Sequence, residues 1–135
     1  MITINPELLD TTSQTVTSLT FSPDSSTLVS TSRDRQINFW DIKNKEMIFA
    51  SKKQNVTSVI FSPDGKTLIS GAKSCPDCAE KISSMIKLWD VITKEEIYAL
   101  PVTTKIVTPL VLSADGKTLV GGTKDNKINV WEISP

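Results

Sequence analysis

Two cysteines offer the most reactive side chains in this 135-residue sequence. Cys75 and Cys78 form a C-x-x-C within Ser74-Cys75-Pro76-Asp77-Cys78-Ala79-Glu80-Lys81-Ile82-Ser83-Ser84. That spacing has three readings. A thiol redox pair needs a lowered thiol pKa, which a strand-to-helix setting supplies and this stretch lacks. A structural zinc site takes four ligands, and the pair provides two. With no histidine and no further cysteine, one copy of the chain cannot finish that site. The remaining reading is a surface loop whose cysteines close a local disulfide or stay reduced.

Other candidates reduce to local structure. Asp64-Gly65-Lys66 and Asp115-Gly116-Lys117 have the residue types of a phosphate or calcium loop, but both fall in a repeated turn. Glu95-Glu96 opens a strand, where neighbours point to opposite faces and cannot serve one substrate. Gly121-Gly122 lies inside a strand, which marks a bulge or a close backbone approach rather than a phosphate loop. The lack of histidine removes the commonest general base. The expectation is a protein with no catalysis of its own and no cofactor.

Bulk properties agree. Apolar residues make up 39% and charged residues 22%, the balance of an ordinary folded domain. Fifteen basic side chains offset fifteen acidic ones, so no net charge draws the chain to nucleic acid or to an anionic membrane. No apolar run approaches a membrane span, and the N-terminal MITINPELLD lacks the regions of a signal peptide. A cytoplasmic location is the expectation.

The elements that carry these residues come from a repeat. Ile37-Asn38-Phe39-Trp40-Asp41 returns as Ile86-Lys87-Leu88-Trp89-Asp90 and as Ile128-Asn129-Val130-Trp131-Glu132. Before each copy stands an apolar strand, a Ser-Pro-Asp or Ser-Ala-Asp turn, and a second strand: VTSLTFSPD, VTSVIFSPDG and VTPLVLSADG. Phe21 to Phe61 is 40 residues and Trp89 to Trp131 is 42, while the longer gap from Phe61 to Trp89 leaves an insertion of nine in the second copy. A fixed period of this length signals a repeat architecture. Four short strands in each unit, joined by tight turns, predict antiparallel meanders. Phe39 and Trp40 are adjacent and fall on opposite faces, as do Leu88 and Trp89, so each sheet must be covered on both sides. Stacking against the next repeat does this.

The FSPDG turn, the apolar-Ser pair and IKLWD, at about 40 residues per unit, resemble the WD-repeat β-propeller family over residues 16–134. The resemblance implies an all-β fold of four-stranded blades around a channel. Expected blades are 16–51, 56–100 with an insertion at 74–84, and 107–134, within a single module spanning 1–135. It also implies a hydrogen-bonded tie of Trp, Ser or Thr, His and Asp in each blade. Trp40, Ser30 and Asp34 match three of those positions. Trp89 and Ser70 match two in the second repeat, and Trp131 and Asp125 two in the third, where Gly121 replaces the hydroxyl. No blade has the His.

Three blades fall short of the usual four to eight. The third repeat has three strands before Pro135, and Glu7 to Thr11 occupies the place before Val16 that Met47 to Ser51 occupies before Val56. Residues 1–15 are therefore expected to supply a permuted outer strand that completes the last blade. Head-to-tail contact between two chains would close a six-bladed ring; three chains would give nine blades. The alternative is a fragment of a larger propeller with no independent function.

Function is then expected to be that of a protein-interaction scaffold, with loops presented around a channel mouth. The candidate partner-binding residues are Arg33, Arg35, Gln54, Asn55, Lys73, Lys81, Thr104, Lys105, Lys124 and Asn126, in loops that the family pattern places on one face. Arg33, Arg35, Lys73, Lys105 and Lys124 are basic, a hint of an acidic partner surface. A thiol redox or metal-binding module using Cys75 and Cys78 is the alternative from another functional class.

Overall fold

The Ser-x-Asp turn is built identically three times in the computed structural model, which describes residues 2–4, 6, 15–33, 36–51, 56, 58–72, 85–101, 106–123 and 126–133. In the second copy Gly65 N–H donates to Ser62 O at 2.9 Å and closes the turn. The Asp64 carboxylate accepts from Ser62 Oγ at 2.6 Å and Lys66 N at 3.0 Å. Asp24 and Asp115 do the same with Ser22 and Ser113. Proline at the second position presets φ at Pro23 and Pro63. The fourth position needs a left-handed backbone: φ is 74° at Gly65, 75° at Gly116 and 64° at Ser25. These carboxylates hold their own turns, which accounts for the Asp-Gly-Lys tripeptides without a ligand.

Each turn joins the first two strands of a meander. The first sheet runs β1 (Val16–Phe21), β2 (Thr27–Ser32), β3 (Ile37–Asp41) and β4 (Glu46–Ala50). The second runs β5 (Ser58–Phe61), β6 (Thr67–Ala72), β7 (Met85–Asp90) and β8 (Glu96–Pro101). The third holds β9 (Ile106–Leu112), β10 (Thr118–Thr123) and β11 (Ile128–Glu132), with β11 at its outer edge. All pairings are antiparallel, and no helix occurs among the described residues. The register breaks between Phe39 and Trp40 against β4 and again between Leu88 and Trp89 against β8. The Gly121-Gly122 step is likewise a register shift against β9. Glu7 to Thr11, expected as an outer strand, lies outside the described residues.

The core lies between sheets. One face of the first sheet, with Val29, Ile37 and Phe39, packs on Val59, Phe61, Leu68 and Trp89 of the second. The opposite face of the second, with Ile69 and Ile86, packs on Leu110 and Leu119 of the third. β1, β5 and β9, the first strands of the three sheets, lie side by side. The adjacent residues Leu88 and Trp89 serve different junctions, as strand alternation requires.

Candidate protein-interaction surfaces

Within each sheet the Trp of the third strand reaches back to the second. Trp40 Nε1 donates to Ser30 Oγ at 3.0 Å and Trp89 Nε1 donates to Ser70 Oγ at 2.9 Å. All four residues are buried. Burial makes the indole N–H demanding: left without an acceptor it would carry its full desolvation cost. In the third sheet Gly121 offers no hydroxyl, and Trp131 is half-buried. Asp34 and Asp125 lie outside the described residues.

The antiparallel order puts the β2–β3, β6–β7 and β10–β11 connections at the end of each sheet opposite to the Ser-x-Asp turns. The connections between sheets leave from that same end. Of the ten partner-binding candidates, Arg33 and Asn126 are described, and both are exposed there. The Arg33 backbone N–H donates to Thr15 O at 2.9 Å, and Asn126 has φ 67°. Arg35, Gln54, Asn55, Lys73, Lys81, Thr104, Lys105 and Lys124 lie outside the described residues, as do Cys75 and Cys78. Among the described residues no group of three or more His, Cys, Asp or Glu side chains could hold a metal.

The exposed apolar surface concentrates on the outer faces of the first and third sheets. Leu19 is 60% exposed and Phe21 54%, although their counterparts Val59 and Phe61 are buried against the first sheet. At the other end Ile128 and Val130 are 72% and 61% exposed, although their counterparts Ile37 and Phe39 are buried. The open face of the first sheet is thus the kind of surface that the second and third sheets bury. The open face of the third sheet is the kind that the first and second bury. The aligned repeats contained this signal, because a residue type retained at an interface position with no neighbour stands out.

Between the first and second sheets a cavity of about 10 Å³ is lined by Ile37, Phe39, Phe49, Ser51, Leu68, Trp89 and Lys94. That is room for about one water, far below a small-molecule pocket. Lys94 Nζ, in the β7–β8 turn, sits 5.4 Å from the Phe39 ring centre and 5.9 Å from that of Phe49, tying that turn to β3 and β4 of the first sheet.

The family model for the WD domain, G-beta repeat, matches residues 7–41, 44–90 and 97–132. The chain belongs to the WD40 family. Two of the three matched WD40 stretches straddle two sheets: 44–90 takes β4 together with β5–β7, and 97–132 begins in β8 and ends with β11. The first stretch starts at residue 7, at the segment that precedes β1 as β4 precedes β5. Two solved structures are similar in fold, "Structure of U3-55K" and "Crystal structure of RRP9 WD40 repeats". Each aligns with a TM-score of 0.78 at 21% identity over 94% of this chain. The chain spans 38% of the length of those chains. Comparison with curated proteins gives no match. WD40 propeller domains generally serve as protein-interaction scaffolds.

Proposed function

We propose that this chain is a non-catalytic interaction scaffold that assembles head to tail into a closed β-propeller, two copies supplying six blades. The observation that carries this is the pairing of its two open faces. Leu19 and Phe21 at one end, and Ile128 and Val130 at the other, repeat the residue types that form the two junctions already buried inside the chain. Exposed apolar area of this kind marks an association surface. A face that matches the other end of the same molecule makes a heterologous contact, which closes when the rotation per step permits. The start of the first family match at residue 7 supports an outer strand from residues 7–11, set beside β11, the outermost described strand of the third sheet. Capping that edge removes a sheet margin prone to unspecific pairing.

In the closed ring the loops bearing Arg33, Arg35, Gln54, Asn55, Lys73, Lys81, Thr104, Lys105, Lys124 and Asn126 gather round one mouth of the channel. That mouth is the proposed site for a protein partner with acidic character, in the cytoplasm. The same open faces would serve a propeller completed by another polypeptide, a reading favoured by the greater length of the two similar chains. Light scattering across a dilution series tests both. The ring reading expects twice the chain mass at high concentration and reversible loss on dilution. A mass that stays at one chain throughout, with the sheets folded, overturns it and leaves the completed-by-another reading.

A further inference from the structure

The tips of the Ser-x-Asp turns touch from one sheet to the next, and the contact has a fixed chemistry. A Cβ built on Gly65 would lie 3.3 Å from Pro23 Cδ and 3.7 Å from its Cγ. A Cβ on Gly116 would lie 3.0 Å and 3.3 Å from the same atoms of Pro63. So the proline ring of each turn rests on the left-handed glycine of the following turn, twice in succession. In both cases a side chain opposite the proline would be crowded, and the ring would have to give by a few tenths of an ångström.

A third contact of the series would set position 114 against position 25, and both partners have changed. Ala114 stands where Pro23 and Pro63 stand, and lacks the Cγ and Cδ atoms that crowd the glycine. Ser25 stands where Gly65 and Gly116 stand, keeps their left-handed backbone at φ 64°, and carries the Cβ that they lack. A side chain in that conformation is strained. One side of the contact has lost bulk and the other has gained it. Both residues are exposed, at the two ends of the stack of sheets.

We infer that the Ser113–Gly116 turn of one copy seats on the Ser22–Ser25 turn of a second copy, Ala114 against Ser25, as a matched small-for-large exchange. The inference rests on the ring reading and deepens it, because it names the partner as this same chain and sets the register of the junction. A blade of the repeated Pro-to-Gly kind would meet Ala114 with a void and Ser25 with a clash. The junction is therefore selective for self-assembly over capture of an ordinary repeat.

The test is a double-mutant cycle on the full chain with Ala114→Pro, Ser25→Gly and the pair, read by light scattering on dilution and by thermal melting. Proline fits the turn locally, since Gly116 N–H donates to Ser113 O at 2.9 Å just as Gly65 does to Ser62 O across Pro63. Ala114→Pro should raise the dissociation constant about tenfold for each junction, the usual scale of overpacking, so about a hundredfold for a two-junction ring. Its melting temperature at a dilution where the chains are separate should not fall. Ser25→Gly alone should assemble, and the pair should return to within about threefold of wild type, a coupling that independent sites would not show. Ala114→Val, which adds bulk without a ring, covers the case in which proline disturbs the turn. Assembly unchanged by both substitutions at Ala114, or a pair no better than Ala114→Pro, overturns the inference while leaving the ring. A wild type that is monomeric at every concentration overturns both.

Discussion

Phe21 and Phe61 occupy the same place in successive repeats, yet Phe21 is 54% exposed and Phe61 9%. In the separate chain, Phe21→Ala should therefore cost little, whereas Phe61→Ala removes a core side chain at about 3–5 kcal/mol. Assembly changes the first number. If the junction between copies buries Phe21 as far as Phe61 is buried, close to half of its full surface passes out of water. On a residue offering about 200 Å², that is about 90 Å². At about 25 cal/mol per Å² this gives about 2 kcal/mol for each junction, and about 4 kcal/mol for a ring with two. Phe21→Ala should then raise the dissociation constant by about a thousandfold while leaving the urea midpoint of the dilute chain nearly unchanged. Sedimentation or light scattering over three decades of concentration, with urea unfolding at the lowest, separates the two effects. Phe21→Ala that assembles like wild type would refute the claim that this face is buried against another copy. A large loss of stability in the dilute chain would show that Phe21 already serves the fold.

Three further outcomes are expected. Ser70→Ala should destabilise by about 1–3 kcal/mol, because the buried Trp89 Nε1–H loses its acceptor; Ser58→Ala should be neutral or stabilising, because the buried Ser58 Oγ has no hydrogen-bond partner among the described residues. Urea unfolding of the two variants should move in opposite directions or differ by at least about 1 kcal/mol, and equal losses would undo the assignment. The Asp24 pKa is lowered to about 2, first by the Ser22 hydroxyl and then by Ser26, and those of Asp64 and Asp115 are lowered by the Ser62 and Ser113 hydroxyls. Carboxylates depressed in the folded state stabilise it above their unfolded value, and that share is lost as pH falls through the folded value. Stability should thus decline between about pH 4 and pH 2, with a shallower decline in Asp24→Asn; an identical acid limb in that variant would contradict the turn account. Gly116→Ala should lower the melting temperature, being strained by φ 75° and crowded by Pro63, and Pro63→Ala should recover part of the loss; no recovery would place the whole cost in the backbone.

Much of the fold was legible because its determinants sit within a few residues of one another. The Ser-x-Asp turns declare themselves through a proline that presets φ and a carboxylate that takes its own turn's donors. Strand alternation put Leu88 and Trp89 on opposite faces, and the first and third sheets stack on the two faces of the second. The Trp40–Ser30 and Trp89–Ser70 pairs, expected by resemblance, meet at hydrogen-bond distance. The loop candidates were placed at one end by topology alone, and most of them, with Cys75 and Cys78, fall outside the described residues.

The repeating unit was readable from the residues alone: its period, its turns, its strand order and the two apolar faces that every copy must cover. Such features follow from local backbone preferences and from side-chain alternation, both of which act over a few residues. The tertiary structure decided which copies of those faces are covered. Phe21 and Phe61 read alike, and only the presence or absence of a neighbouring sheet makes one exposed and the other core. Ser25 and Ala114 likewise read as ordinary surface variation. Their meaning as a pair rests on the contact of Pro23 with Gly65, which joins residues 42 positions apart in sequence and arises only when two sheets pack.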